Sequence, residues 1–217
     1  MPSGFPGSID NFTDPLTTSP LNSPSHAGQH QDLNDAVEKV ETYMGLVKVI
    51  PTGATNGTVS ATGTVTIGTA VTSVTVSGAF SALYDNYRVI VYGGSFSTNA
   101  AMRVQLGSAS TGYYNSWVAN QYSVGTLIAL SNNNSVGYWN NMGRATTTGL
   151  HLTMELFNPF AAARTAMTMH SSDLLTTGFY INQSGFLNDA SSYTAFTLTF
   201  DSGNATGGTI RVYGYRN

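Results

Sequence analysis

Six aromatic side chains, Tyr113, Tyr114, Trp117, Tyr122, Tyr138 and Trp139, fall in the middle third of this chain. Asn115, Asn120, Gln121, Asn132, Asn133, Asn134, Asn140 and Asn141 are interleaved with them. Ring faces beside amide donors and acceptors suit sugars, whose CH patches stack on rings while their hydroxyls hydrogen-bond. Tyr114, Trp117, Tyr122, Tyr138 and Trp139 are therefore candidate ligand-binding residues for a glycan. The plainer alternative is that these rings pack a core or a subunit interface.

Other chemistry is thinner. His26 and His30 stand four apart, the spacing at which one helix face offers two imidazoles to a metal. Gly28 between them and Pro24 before them argue against helix there, so a polar linker or cap is expected and no metal site is assigned. Glycoside hydrolysis needs two carboxylates about 5–9.5 Å apart. The β-rich part offers only Asp85, Glu155, Asp173, Asp189 and Asp201. Glu155 falls in mid-strand; the others fall at turns or strand ends, where Asp ordinarily serves the backbone. No nucleophile elbow, P-loop, dinucleotide fingerprint or zinc-protease motif occurs. No catalytic residue and no cofactor is assigned, and the chain reads as a non-enzyme.

The elements that position these residues are almost all strands. Segments such as Leu150–Phe157, with Leu150, Leu152, Met154 and Leu156 on one face, alternate cleanly. Phe196, Leu198 and Phe200 do the same. Alternation with one wet face means antiparallel sheet. Expected strands are Val71–Val76, Tyr87–Tyr92, Met102–Leu106, Tyr113–Val118, Tyr122–Leu130, Ser135–Asn141, Leu150–Phe157, Thr165–His170, Gly178–Gln183, Tyr193–Phe200 and Thr209–Tyr213. Many short strands with Gly, Asn and Ser turns indicate an antiparallel β-sandwich or jelly roll.

Ahead of them lies one helical pattern. Leu33, Val37, Val40, Met44 and Val47 are spaced 4, 3, 4 and 3, the seam of a coiled coil. Asp32 is the expected N-cap and Gly45 the expected stop. So short a helix is marginal alone, and copies of itself are the natural partners for its stripe. Residues 1–30 hold Pro2, Pro6, Pro15, Pro20 and Pro24 and read as an extended strap. Phe5, Ile9, Phe12, Leu16 and Leu21 recur through it as anchors for docking on another protein. The organisation is thus an arm (1–30), a coiled-coil helix (31–47), a β neck (48–70) and a β-sandwich head (71–217).

Charged residues make up 9% of the chain, against about 25% in an average globular protein. Ser, Thr, Asn and Gly must therefore keep the surface wet. Residues 49–217 contain no Lys, and Arg88, Arg103, Arg144, Arg164, Arg211 and Arg216 are scattered, so no basic stripe exists for nucleic acid. The same scarcity predicts resistance to trypsin beyond the arm and neck, with Arg88 and Arg164 shielded. No Cys is present, which excludes disulfides and thiolate metal sites. No apolar run is long enough to span a membrane, and no Sec signal is visible at the N-terminus, so synthesis and assembly in a cytoplasm are expected.

The run from Ser25 to Gly45, with His26, His30 and then Leu33-Asn-Asp-Ala36, resembles a segment near the N-terminus of many tailed-bacteriophage fibre and minor structural proteins. The stretch Tyr84–Val91 is similar to the opening core strand of their C-terminal jelly rolls, and Gly208–Gly214 to the closing strand. The resemblance implies a homotrimer with a virion anchor, a coiled-coil stalk and a jelly-roll head. It also implies a virion protein made in the host cytoplasm. Its partners would be itself, a tail or capsid protein bound through residues 1–30, and a host surface glycan. The seam is only about two heptads, which favours a short spike, with a capsid decoration (head fibre) protein as the alternative. A free lectin or glycan hydrolase is the third reading.

Overall fold

The computed structural model describes residues 26–43 and 45–215. The anchoring residues Phe5, Ile9, Phe12, Leu16 and Leu21, and Met44 of the seam, lie outside the described residues. The chain divides after Gly45 into two compact units, one containing the helix and the other the strands.

Helix α1 spans His26–Tyr43, so it starts six residues before the expected cap at Asp32. Gly28 falls in the first turn, where its cost of roughly 1 kcal/mol is borne by the turns that follow. Pro24 precedes the helix, a side on which proline is tolerated. Both His26 and His30 therefore belong to α1, one turn apart. At the other end Gly45 has φ +81°, the left-handed conformation that stops a helix and that glycine adopts without a Cβ penalty. Val47, expected to close the helical seam, is beyond that stop and sits in a strand opposite Gly214.

Strands β1 (Leu46–Lys48), β2 (Gly53–Thr55), β3 (Gly57–Val59) and β4 (Val65–Ile67) are short. They are followed by β5 (Ser73–Ser77), β6 (Asn86–Gly93), β7 (Ser95–Phe96), β8 (Ala100–Leu106), β9 (Tyr113–Gln121) and β10 (Leu127–Asn133). Then come β11 (Arg144–Ala145), β12 (Leu150–Phe157), β13 (Thr165–Ser172), β14 (Phe179–Leu187), β15 (Phe196–Phe200), β16 (Ala205–Thr206) and β17 (Thr209–Tyr215). The larger sheet runs β10-β9-β14-β13-β12-β6-β17-β4-β3, with β1 also on β17; the smaller runs β11-β8-β15-β5-β2. All pairings are antiparallel, as the alternation requires.

The two sheets form a sandwich around one core. Tyr87, Val89 and Val91 of β6, Leu150 to Leu156 of β12, and Met167 and Met169 of β13 supply the larger sheet's share. Val74, Val76, Met102, Val104, Leu106, Phe196 and Leu198 answer from the smaller one. Residues 48–70, expected as a β neck, are woven into the sandwich: β4 pairs with β17 and β2 with β5, and β1, which ends at Lys48, also pairs with β17. Residues 135–141 do not form the expected regular strand. Only Trp139 bridges, to Val104, and Met142 follows by bonding Met102, so the segment extends the smaller sheet as an irregular edge.

Register defines the two ends. Leu46 pairs with Tyr215, so the chain enters and leaves the sandwich at one end. The turns after Gly93, Gln121, Ser172 and Phe200 lie at the opposite, far end. Arg88 is locked mid-strand, whereas Arg164 is exposed in the loop before β13, which does not match the expected shielding.

Candidate functional site

Leu33, Val37 and Val40 occupy positions i, i+4 and i+7 of α1 and so share one face. They are 53%, 48% and 38% exposed. Eighteen residues give a helix of about 27 Å, too short to be robust in isolation. They form one exposed aliphatic stripe along the helix.

The five aromatic candidates disperse in space. Trp139 is fully buried, exchanges backbone hydrogen bonds with Val104 at 2.9 and 3.1 Å, and packs edge-on to Tyr113. Trp117 is on the inner face of β9, in phase with Tyr113 and Ala119, and is 7% exposed. A ring enclosed on both faces has none to offer a sugar, and core packing accounts for both tryptophans. Tyr114 is on the outer face of β9, stacked on Phe186 with centroids 5.0 Å apart. Tyr138 lies under the Arg103 guanidinium at 4.9 Å. Tyr122, 48% exposed, stands at the far-end turn between β9 and β10. The alternation through Tyr113–Gln121 carried the signal that separates Trp117 from Tyr114; for Trp139, off any regular strand, no such signal exists.

The far end gathers Tyr122 with residues that the sequence pattern does not single out. Tyr122 N–H donates to the Gly178 carbonyl at 3.0 Å, and Gln121 Nε2 to the Thr177 carbonyl at 3.2 Å, binding the β9–β10 turn to the β13–β14 loop. Thr148 Oγ1 donates to the Leu174 carbonyl at 2.6 Å and brings the loop before β12 alongside. Val124, Leu127 and Leu174 point outward from these tied loops, 67%, 67% and 47% exposed. Exposed Thr, Ser and Tyr groups separate them, and residues 104–143 contain no charged side chain at all. Beneath the loop Asp173 is buried: Oδ2 accepts from Phe179 N–H at 3.0 Å and faces Arg144 at 4.0 Å, while Oδ1 has no partner. Burial pushes its carboxyl above the usual range, against the opposing pull of the Phe179 amide and Arg144.

No protein-family model and no curated protein matches the chain.

Three further carboxylates have structural tasks. Glu155 accepts from Arg88 Nε at 2.5 Å and from Tyr215 O–H at 2.6 Å, clamping β12, β6 and β17. Asp201 accepts from Ala101 N–H at 2.8 Å. Asp189 accepts from the Tyr193 hydroxyl and from Ser191 N–H at 3.1 Å, and these donors hold its carboxyl below the usual range. Nearby, burial pushes the Tyr113 phenol up to about 12. A hollow of about 660 Å³ opens beside Asp189 at the near end, lined by Ser108, Ser110, Thr111, Asn188 and Thr194. Among the described residues no three His, Asp or Glu side chains converge as a metal centre requires, and no helix is long and apolar enough to cross a membrane.

The outer faces of the two sheets differ in kind. The smaller shows Thr75 hydrogen-bonded to Thr197 at 2.9 Å, with Thr199, Gln105 and Arg103 around them. The larger, from β9 across β14 and β13, shows Tyr114, Phe186, Val118 and Tyr180 with hydroxyls, amides and the exposed His170 imidazole between them.

Proposed function

We propose that this chain is the subunit of a trimeric, non-enzymatic phage virion protein, a short fibre or spike. Residues 1–30 anchor it to the particle through Phe5, Ile9, Phe12, Leu16 and Leu21. The coiled coil of α1, seamed by Leu33, Val37 and Val40, fixes the three-fold assembly. The sandwich is the jelly-roll head, and its far-end loops, carrying Tyr122, Val124, Leu127 and Leu174, meet the host surface and its glycans. The observation that carries the reading is the exposed stripe on α1: in a chain of this composition, three large aliphatic side chains at heptad spacing and a third to a half exposed call for copies.

The 27 Å reach of α1 supports a short projection over a long fibre. It equally supports the second reading, a trimeric capsid decoration protein that chiefly binds the shell. Deleting residues 1–24 tests the anchoring: the truncated chain is expected to remain a soluble oligomer and to be absent from assembled particles. Incorporation of the truncated chain at normal copy number contradicts it. Immunogold labelling of intact particles separates the two readings, tail label supporting the spike and head label the decoration protein.

A further inference from the structure

We infer that the near-end hollow beside Asp189 is a binding site for a neutral hexose, with the Asp189 carboxylate accepting one of its hydroxyls. This does not rest on the trimeric reading, and a monomeric chain would leave it intact.

The lining selects the ligand. Two loops make the hollow, 107–111 between β8 and β9 and 188–194 between β14 and β15, and its volume is about 660 Å³. Sites for small ligands run to about 300–1,000 Å³ and usually offer apolar walls. Here the walls are Ser, Thr, Asn and Asp, with Gly107, Ala109 and the buried Tyr193 as the exceptions. An apolar ligand gains nothing there. No Lys, Arg or His lines the hollow, so a phosphate or sugar acid would meet Asp189 without a counter-charge. A calcium ion takes about six to eight oxygens, commonly from several carboxylates, and only one carboxylate is present. A neutral molecule with hydroxyls on every side is what remains.

The lining groups are also free to bind. Loop hydroxyls elsewhere in the sandwich are spent on nearby backbone: Thr146 on the Gly149 carbonyl, Ser97 on the Asn204 amide, Ser60 on the Thr64 amide. Among the described residues, the side chains of Ser108, Ser110, Thr111, Asn188, Ser192 and Thr194 make no such bond. Six unspent side chains facing one concavity can donate and accept together, as a hexose requires.

The scaffold behind them is fixed. Gln105 Nε2 donates to the Ala109 carbonyl at 2.7 Å, and Asn188 N–H to the Gly112 carbonyl at 2.8 Å, tying the two loops to each other and to β8. A Cβ on Gly137 would stand 2.5 Å from the Ser110 carbonyl, so the first loop is also braced from outside. Asp189 Oδ1 accepts from Ser191 N–H at 3.1 Å and Ser191 Oγ at 2.9 Å, while Oδ2 accepts from the Tyr193 hydroxyl. Three donors hold the carboxylate ionised and in place, and of its roughly four acceptor positions one, on Oδ2, is left for a ligand. Preorganised groups of this kind bind without a further ordering cost.

Saturation-transfer difference NMR on the full-length protein tests this, with the methyl α-glycosides of glucose, galactose and mannose as probes. At least one is expected to bind with millimolar affinity, as hydrogen bonding without a stacking ring allows. Asp189→Asn should weaken it about tenfold or more, the worth of one hydrogen bond to a charged group. Ser110→Leu with Ser192→Leu, both at exposed loop positions, should fill the hollow and remove binding, with the circular dichroism spectrum unchanged. Tyr122→Ala, at the far end, should leave it as it was. Failure of all three glycosides to bind overturns the inference, and so does binding undiminished by Asp189→Asn or by the leucine pair. Binding that falls with Tyr122→Ala instead overturns it and leaves the far-end glycan reading standing. Calcium titrated alone by calorimetry, with a heat that Asp189→Asn abolishes, would assign the hollow to a cation and overturn it as well.

Discussion

Trp139 and Tyr122 share a ring chemistry but sit in opposite environments, and their alanine variants should behave oppositely. Trp139→Ala empties a fully enclosed site in the core, a change that costs about 3–5 kcal/mol. Thermal unfolding of this variant is expected many degrees lower. Tyr122→Ala at the far-end turn should leave stability within about 0.5 kcal/mol and reduce adsorption of particles to host cells. A Trp139 variant of normal stability would contradict the sandwich. Asp173 gives a pH signature with a definite sign. Its folded carboxyl titrates above its unfolded value, so the native state takes up the proton first as pH falls. Its effect is therefore to destabilise the fold at neutral pH, and this is relieved as pH drops through the raised value toward the ordinary one. Asp173→Asn is expected to raise the unfolding temperature at pH 7 and to flatten that part of the profile. Unchanged slope between pH 7 and 4 would remove Asp173 as its source.

At the scale of elements, the alternating segments were legible because each has one face in the core and one in water. Leu150–Phe157 is a strand with the expected boundaries, and its four apolar residues are all fully buried. Legibility failed where tertiary context decides. The helix runs back to His26 through Gly28, because a single glycine in the first turn is a small penalty beside the turns behind it. Residues 135–141 read as a strand on aromatic content, yet only Trp139 finds a partner, on the edge of β8. Proximity in sequence groups the glycan candidates, whereas the period-two phase of β9 sends Trp117 inward and Tyr114 outward. The ties that assemble the far-end loops, from Tyr122 to Gly178 and from Thr148 to Leu174, join distant segments and leave no local trace. For α1 the account predicts that Val37→Asp with Val40→Asp weakens self-association on the order of a hundredfold or more, since each buried valine contributes about 1.5–3 kcal/mol. Sedimentation across a dilution series measures it, with the β signal in circular dichroism as the control for folding. An unaltered dissociation constant would show that α1 does not hold the copies together.

At the scale of the whole molecule, low charge, absent cysteine and a short exposed helical stripe point the same way. On the proposed reading such a chain gains its durability by burying neutral surface between subunits, with no disulfide to help. In the proposed spike the near end of the sandwich joins the stalk and the far end meets the host. The proposed function depends on the number of copies in the native particle. The most direct measurement is therefore the mass of the purified full-length chain by light scattering over a hundredfold range of concentration. The account predicts a mass close to three times 22.9 kDa, unchanged on dilution into the low micromolar range. A stable species of 22.9 kDa at the highest concentration would contradict it.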